Sequence, residues 1–145
     1  MKYLLLILAL MIPQMAAARL GETVEQCDKR YGKVAEKGKS SKIYESKGYR
    51  IEVRFQDSVC WCITYRKLDK SLIAQSVIEK LKSLAGVGWE VTHSGKGMSE
   101  WQTDLMIASD FVYKGKHLLM IRTKDGVARN MAELEKPDLK SVEGF

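Results

Sequence analysis

The sequence predicts an α+β fold in which two helix-plus-β-meander units form one antiparallel sheet with helices on one face. Apolar residues recur at helical spacing in two stretches, whose starts at Thr23 and Asp69 lie 46 positions apart. Each stretch is followed by segments that alternate apolar and polar residues, bounded by turn pairs such as Lys47-Gly48 and Lys114-Gly115. The repeated order of parts predicts units over about 20–66 and 67–123, with a C-terminal extension over 124–145.

The chain opens with Lys2, an apolar run from Tyr3 to Ile12, Pro13, and Ala16-Ala17-Ala18. This is the pattern of a secretory signal peptide over 1–18 with cleavage after Ala18. The apolar run is shorter than the ~20 residues needed to span a bilayer, and no cysteine sits at the cut to accept a lipid. The expected product is exported, periplasmic or extracellular, with no stable membrane insertion after cleavage. Removing 18 of the 145 residues leaves 127, enough for one domain over 19–145.

In the first helix, Thr23 can act as N-cap and Gln26 three positions on completes a capping box, while Gly32 can end the helix in a left-handed conformation. Val24, Cys27 and Tyr31 fall on one face, so Cys27 points inward, as a buried thiol or as half of a bridge. Lys33 to Lys42 lacks periodicity and is expected to be an exposed loop. A short strand over Ile43 to Ser46 follows, then a strictly alternating one from Tyr49 to Phe55. Asp57-Ser58 then reads as a two-residue hairpin loop leading into Val59 to Tyr65.

With two loop residues, Phe55 is expected to pair with Cys60, Val53 with Cys62 and Ile51 with Thr64. Ile51, Val53, Phe55 and both strand cysteines would share the core face. Trp61, Ile63 and Tyr65 would share the opposite face with Arg50, Glu52 and Arg54. Aromatic and arginine side chains of that kind dominate binding hot spots, so Arg50, Arg54, Trp61, Ile63 and Tyr65 form the expected contact surface. A second packed layer covering the aromatics is the competing arrangement.

In the second unit Asp69 is expected to cap a helix from Lys70 to about Leu84, with Gly86 after its end. Strands are expected at Trp89 to His93, Leu105 to Ala108, Asp110 to Tyr113 and His117 to Thr123, with Ser94 to Gly97 a flexible loop. A short helix is expected around Val127, Met131 and Leu134, with Pro137 to Phe145 loosely held.

Lys and Arg number 24 against 18 Asp and Glu, a formal charge of +6 that loss of Lys2 lowers to about +5. The lysines are scattered rather than gathered on one face with interleaved aromatics, which argues against nucleic acid as a partner. The only histidines, His93 and His117, have no spacing relation to a cysteine that would suggest a nucleophile pair, so no catalytic residue is assigned and an enzyme is not expected. Cys27, Cys60 and Cys62 have the residue types of a metal or redox site but lack C-x-x-C spacing. No cofactor or metal is expected from the leading reading, and a small redox-active or metal-binding secreted protein using these thiols is the alternative.

The pattern LGET-x-x-QC-x-x-RYG from Leu20 to Gly32, the cysteine after the Asp57 turn, the ITYRK string and Trp89 resemble a group of short secreted bacterial proteins of unassigned function. More distantly, the Gly-x-Thr helix with its meander is similar to the small lipoprotein of the outer-membrane β-barrel assembly machinery. The doubled unit is similar to β-lactamase inhibitor protein. The resemblance implies non-catalytic binding through the sheet face, to an envelope or extracellular protein, and leaves the oligomeric state open. By family-like position it also implies a disulfide from Cys27 to Cys60, with Cys62 as the other choice.

Overall fold

The computed structural model describes residues 19–134. The expected signal peptide over 1–18 and the segment 135–145 lie outside the described residues. Three helices, α1 (Val24–Tyr31), α2 (Gln75–Ala85) and α3 (Lys124–Leu134), accompany an eight-stranded antiparallel sheet. Its strands are β1 (Val34–Lys37), β2 (Ser41–Ser46), β3 (Tyr49–Gln56), β4 (Val59–Lys67), β5 (Glu90–Gly95), β6 (Met98–Gln102), β7 (Met106–Tyr113) and β8 (Lys116–Thr123), in the order β1-β2-β3-β4-β8-β7-β6-β5. The fold is therefore α+β and mostly sheet.

Local signals act where the sequence places them. Thr23 Oγ1 accepts from Gln26 N at 3.3 Å and Gln26 Oε1 accepts from Thr23 N at 2.9 Å, which satisfies two N–H groups that a helix start leaves unpaired. Gly32, at φ 83°, donates its N–H to Asp28 O at 2.9 Å and ends α1. Lys47-Gly48, Asp57-Ser58 and Lys114-Gly115 all have positive φ at both positions, the backbone that two-residue hairpins require.

Other elements depart from expectation. The stretch expected as an exposed loop, Lys33 to Lys42, holds β1 and the start of β2, which pair with one another. Met98 to Gln102 forms β6 between β5 and β7. Leu105 to Tyr113 is one strand from Met106 onward rather than two. Asp69 does not cap α2: it accepts from Ser71 N at 2.9 Å and Ser71 Oγ at 2.6 Å in a tight turn, with Lys70 at φ 63°, and α2 starts later at Gln75. The extended residues between hold Ile73 in the core, its N–H donated to His117 Nδ1 at 2.7 Å. His117 Nε2 in turn meets Asp110 Oδ1. With Nδ1 accepting, Nε2 carries the ring proton toward the carboxylate.

One sheet face carries the main core. Tyr44, Ile51, Val53, Phe55, Cys60, Ile63, Tyr65, Ala108, Leu119 and Ile121 meet Cys27 and Tyr31 of α1 and Ile78 of α2. At the far end of α2, Trp89 Nε1 donates to Lys82 O and Gly86 O at 2.9 and 3.0 Å, covering carbonyls that the helix end leaves open. Lys82 is buried, yet its ammonium is satisfied by Glu79 at 3.1 Å and by the Trp101 ring at 3.9 Å. α3 sits on the other face, at the end bearing Trp61. A Cβ on Gly126 would fall 2.6 Å from Trp61 Cε3, so only glycine lets this helix approach the ring so closely.

Asp28 ties α1 to the sheet, its carboxylate accepting from Lys42 Nζ at 2.6 and 2.9 Å and from Tyr44 Oη at 2.7 Å. Burial pushes the Asp28 carboxyl up, but the bonds from Lys42 and Tyr44 outweigh it and hold the group below its ordinary value. A carboxylate with a depressed folded-state pKa contributes stability that is present above its unfolded pKa and lost as pH falls through the folded one. Asp28→Asn is therefore expected to flatten the acid limb of a melting-temperature profile below about pH 4. An unchanged acid slope, read by thermal melts across that range, would contradict this role.

Candidate functional site

The register of the central hairpin determines which side chains form the second sheet face. Phe55 pairs with Cys60 as the loop length requires, but a β-bulge follows, and Arg54 then pairs with Cys62, Val53 with Ile63, Glu52 with Thr64 and Ile51 with Tyr65. One extra residue in β4 therefore moves Ile63 and Tyr65 to the core face and Cys62 away from it. This corrects the expected site. Ile63 and Tyr65 are 1% and 4% exposed in the main core, and Trp61 is 9% exposed beneath α3. Arg50 and Arg54 remain on the face directed away from α1.

Strand pairing extends that face. Arg50 stands beside Arg66 and Glu52 beside Thr64; Cys62 and Thr64 neighbour Arg122 and Met120 on β8; Leu118 and Lys116 neighbour Phe111 and Tyr113 on β7. A cleft of about 450 Å³ lies over it, lined by Arg50, Glu52, Arg54, Thr64, Arg66, Phe111, Tyr113, Lys116, Leu118 and Met120. Arg50 is engaged by Glu36 at 2.6 Å and Glu45 at 3.3 Å, and Arg54 by Glu52 at 2.9 Å. Among the described residues Arg66 and Lys116 enter no ion pair, and Arg122 Nε is enclosed without a hydrogen-bond partner. Positive charge on this face thus exceeds what its own carboxylates neutralise, next to a half-buried apolar strip of Phe111, Leu118 and Met120.

Sequence reasoning missed the β7 and β8 contribution. The alternation Phe111, Tyr113 and Lys116, Leu118, Met120 was legible as two-residue periodicity, but it could not say which central strand β8 would join.

The three cysteines carry no disulfide and all are buried. Gly21 N donates to Cys60 O and Cys60 N donates to Glu22 O, both at 2.8 Å, so the residues leading into α1 are strapped to the start of β4. This sets Cys27 against Cys60. Their hydrogen bond holds the Cys27 thiol below its ordinary value and, with burial, pushes the Cys60 thiol up. Cys62 lies on the opposite face because of the bulge. Burial raises its thiol to about 11, although Arg54 and Arg122 oppose that shift. The expected shared face for Cys60 and Cys62 is thereby corrected, and among the described residues no group of three or more His, Cys, Asp or Glu is placed to hold a metal ion. Nor is any described helix long and apolar enough to cross a membrane.

No protein-family model matches the chain, and no curated protein matches it. Among solved structures, a cysteine-rich secretory protein from Staphylococcus aureus is similar at 10% sequence identity and a TM-score of 0.45, over 75% of this chain and 46% of that one. The chain thus spans less than half the length of that structure.

The different surroundings of Trp61 and Arg54 give opposite mutational expectations. Trp61→Ala is expected to destabilise by about 3–5 kcal/mol, since it leaves a cavity under α3. Arg54→Ala removes an exposed ion pair and is expected to cost under about 1 kcal/mol. Denaturant midpoints for the two variants check this, and equal small losses would show that α3 does not bury the ring.

Proposed function

We propose that this is a non-catalytic exported protein that binds an envelope or extracellular protein through the sheet face opposite α1. The observation that carries the reading is the open cleft over β3, β4, β8 and β7, where Arg66 and Lys116 stand without carboxylate partners beside Phe111, Leu118 and Met120. Such a surface suits an acidic partner that also presents apolar side chains, with charge steering the encounter and apolar contact providing most of the affinity. The strand order, in which β1 to β4 and β5 to β8 each run in sequence and meet at β4 and β8, supports the reading as two helix-plus-meander units. The resemblance to sheet-face binders points the same way.

Capture of a partner from cell-envelope extract tests the face. Wild-type protein and Lys29→Glu, a charge reversal on α1, are expected to retain the same bound protein. Arg54→Glu combined with Arg66→Glu is expected to lose it while melting at a similar temperature. Retention by the double variant would overturn the reading.

Export would place Cys27 and Cys60 in an oxidising compartment, where we propose that they close to a disulfide and leave Cys62 as a buried thiol. On the chain-entropy model this bridge stabilises by roughly 3–4 kcal/mol. Non-reducing peptide mapping of exported protein is expected to show Arg19 as the N-terminus, a Cys27–Cys60 bridged peptide and free Cys62. A Cys27–Cys62 bridge, or three free thiols, would contradict the assignment.

A further inference from the structure

A cleft of about 390 Å³ opens where the segment entering α2 meets β6, β7 and β8. Leu72, Ile73, Ile78, Met98 and Val112 line it, and of these Leu72, Met98 and Val112 are large apolar side chains left exposed. Its polar part is Asp110, with Ser99 directly opposite on β6 and His117 on β8. The Asp110 side chain is 19% exposed, and its Oδ1 meets His117 Nε2. Because His117 Nδ1 accepts the Ile73 N–H at 2.7 Å, the imidazole holds its one ring proton on Nε2 and is neutral. His117 therefore orients the carboxylate without cancelling its charge. Among the described residues, Asp110 Oδ2 enters no hydrogen bond or ion pair, and no lysine or arginine lines the cleft. Lys96, in the turn between β5 and β6, is exposed and is not part of the lining. A carboxylate set among apolar walls is costly until a cation or further hydrogen bonds compensate it.

We propose that the cleft binds a primary ammonium group on an apolar stem, with the ammonium on Asp110 and Ser99 and the stem along Leu72, Met98 and Val112. An ammonium carries three donors and no acceptor, so it can bond the carboxylate and the Ser99 hydroxyl at once, and a bond between two charged groups is about twice as strong as a neutral one. A guanidinium is less well matched, because its paired N–H groups call for both carboxylate oxygens and Oδ1 already meets His117. An anion would be repelled by Asp110, and a neutral alcohol would fill the space but leave the charge as it is. The volume lies toward the small end of the roughly 300–1,000 Å³ usual for small-ligand sites. His117 acts here as a positioning residue, held in its tautomer by the Ile73 N–H. The ammonium could belong to a free alkylamine or to a lysine side chain of a polypeptide. The site does not depend on the contact face over β3 and β4.

The test is a titration of the purified protein at neutral pH with n-pentylamine, n-pentanol and Nα-acetyl-lysine N-methylamide, followed by methyl NMR. Saturable shifts centred on Leu72, Ile73, Ile78, Met98 and Val112 are expected with n-pentylamine, and n-pentanol is expected to bind about tenfold more weakly for want of the charge. Asp110→Asn keeps a carbonyl for His117 Nε2 and removes the charge, so it is expected to fold and to bind the amine no better than the alcohol. Val112→Trp, at an exposed position on the cleft wall, is expected to abolish binding of both. Should Asp110→Asn fail to fold, the ratio of amine to alcohol affinity in the wild type still decides the matter. Binding of the lysine derivative as well as n-pentylamine would support the site with a polypeptide lysine as the source, and its exclusion beside bound n-pentylamine would support the site with a free amine. Absence of saturable shifts with n-pentylamine, equal affinity for amine and alcohol in the wild type, or undiminished amine binding by a folded Asp110→Asn would overturn the proposal.

Discussion

A single additional residue in β4, opposite Arg54, determines which side chains of the two central strands meet the helices. Because side chains alternate along a strand, a one-residue shift exchanges every position beyond it between faces. Before the bulge Phe55 and Cys60 share the core with Cys27; after it Ile63 and Tyr65 take the core positions and Cys62 and Thr64 turn outward. The main core, the separation of the thiols and the composition of the open face all follow from this register.

Two contacts accompany the bulge. On one face the strap from Gly21 and Glu22 to Cys60 holds the beginning of α1 against β4 and presents Cys27 to Cys60. On the other, Trp61 is covered by α3, whose Gly126 allows the backbone to reach the ring. Both act at the same end of β4, so the bulged segment is gripped from either side. A large aromatic in an exposed bulge would leave its apolar area in water; beneath α3 that area is buried.

The two sides of the sheet then differ in chemistry. Toward α1 and α2 the sheet offers aliphatic and tyrosine side chains. Away from them it offers arginines whose charges are only partly neutralised, beside half-buried aromatic and aliphatic residues. The second is the face proposed above to meet an acidic partner.

Much of this was readable in the sequence where the signal is local. Thr23 and Gln26 cap α1, Gly32 ends it, and the hairpin pairs Lys47-Gly48, Asp57-Ser58 and Lys114-Gly115 adopt the backbone their turns need, because each depends on a few adjacent residues. Arg50 and Arg54 were likewise assigned to the face they occupy, since β3 itself alternates without interruption. What the sequence could not determine is where the partner strand gains a residue. Segments far apart in the chain, Gly21 and Glu22 on one side and Gly126 on the other, meet around β4 there. Only the tertiary structure decided that Trp61 is buried, that Ile63 and Tyr65 are core, that Cys62 parts from Cys60, and that β8 brings Lys116, Leu118 and Met120 beside the arginines, because these outcomes rest on non-local pairing that two-residue periodicity alone does not specify.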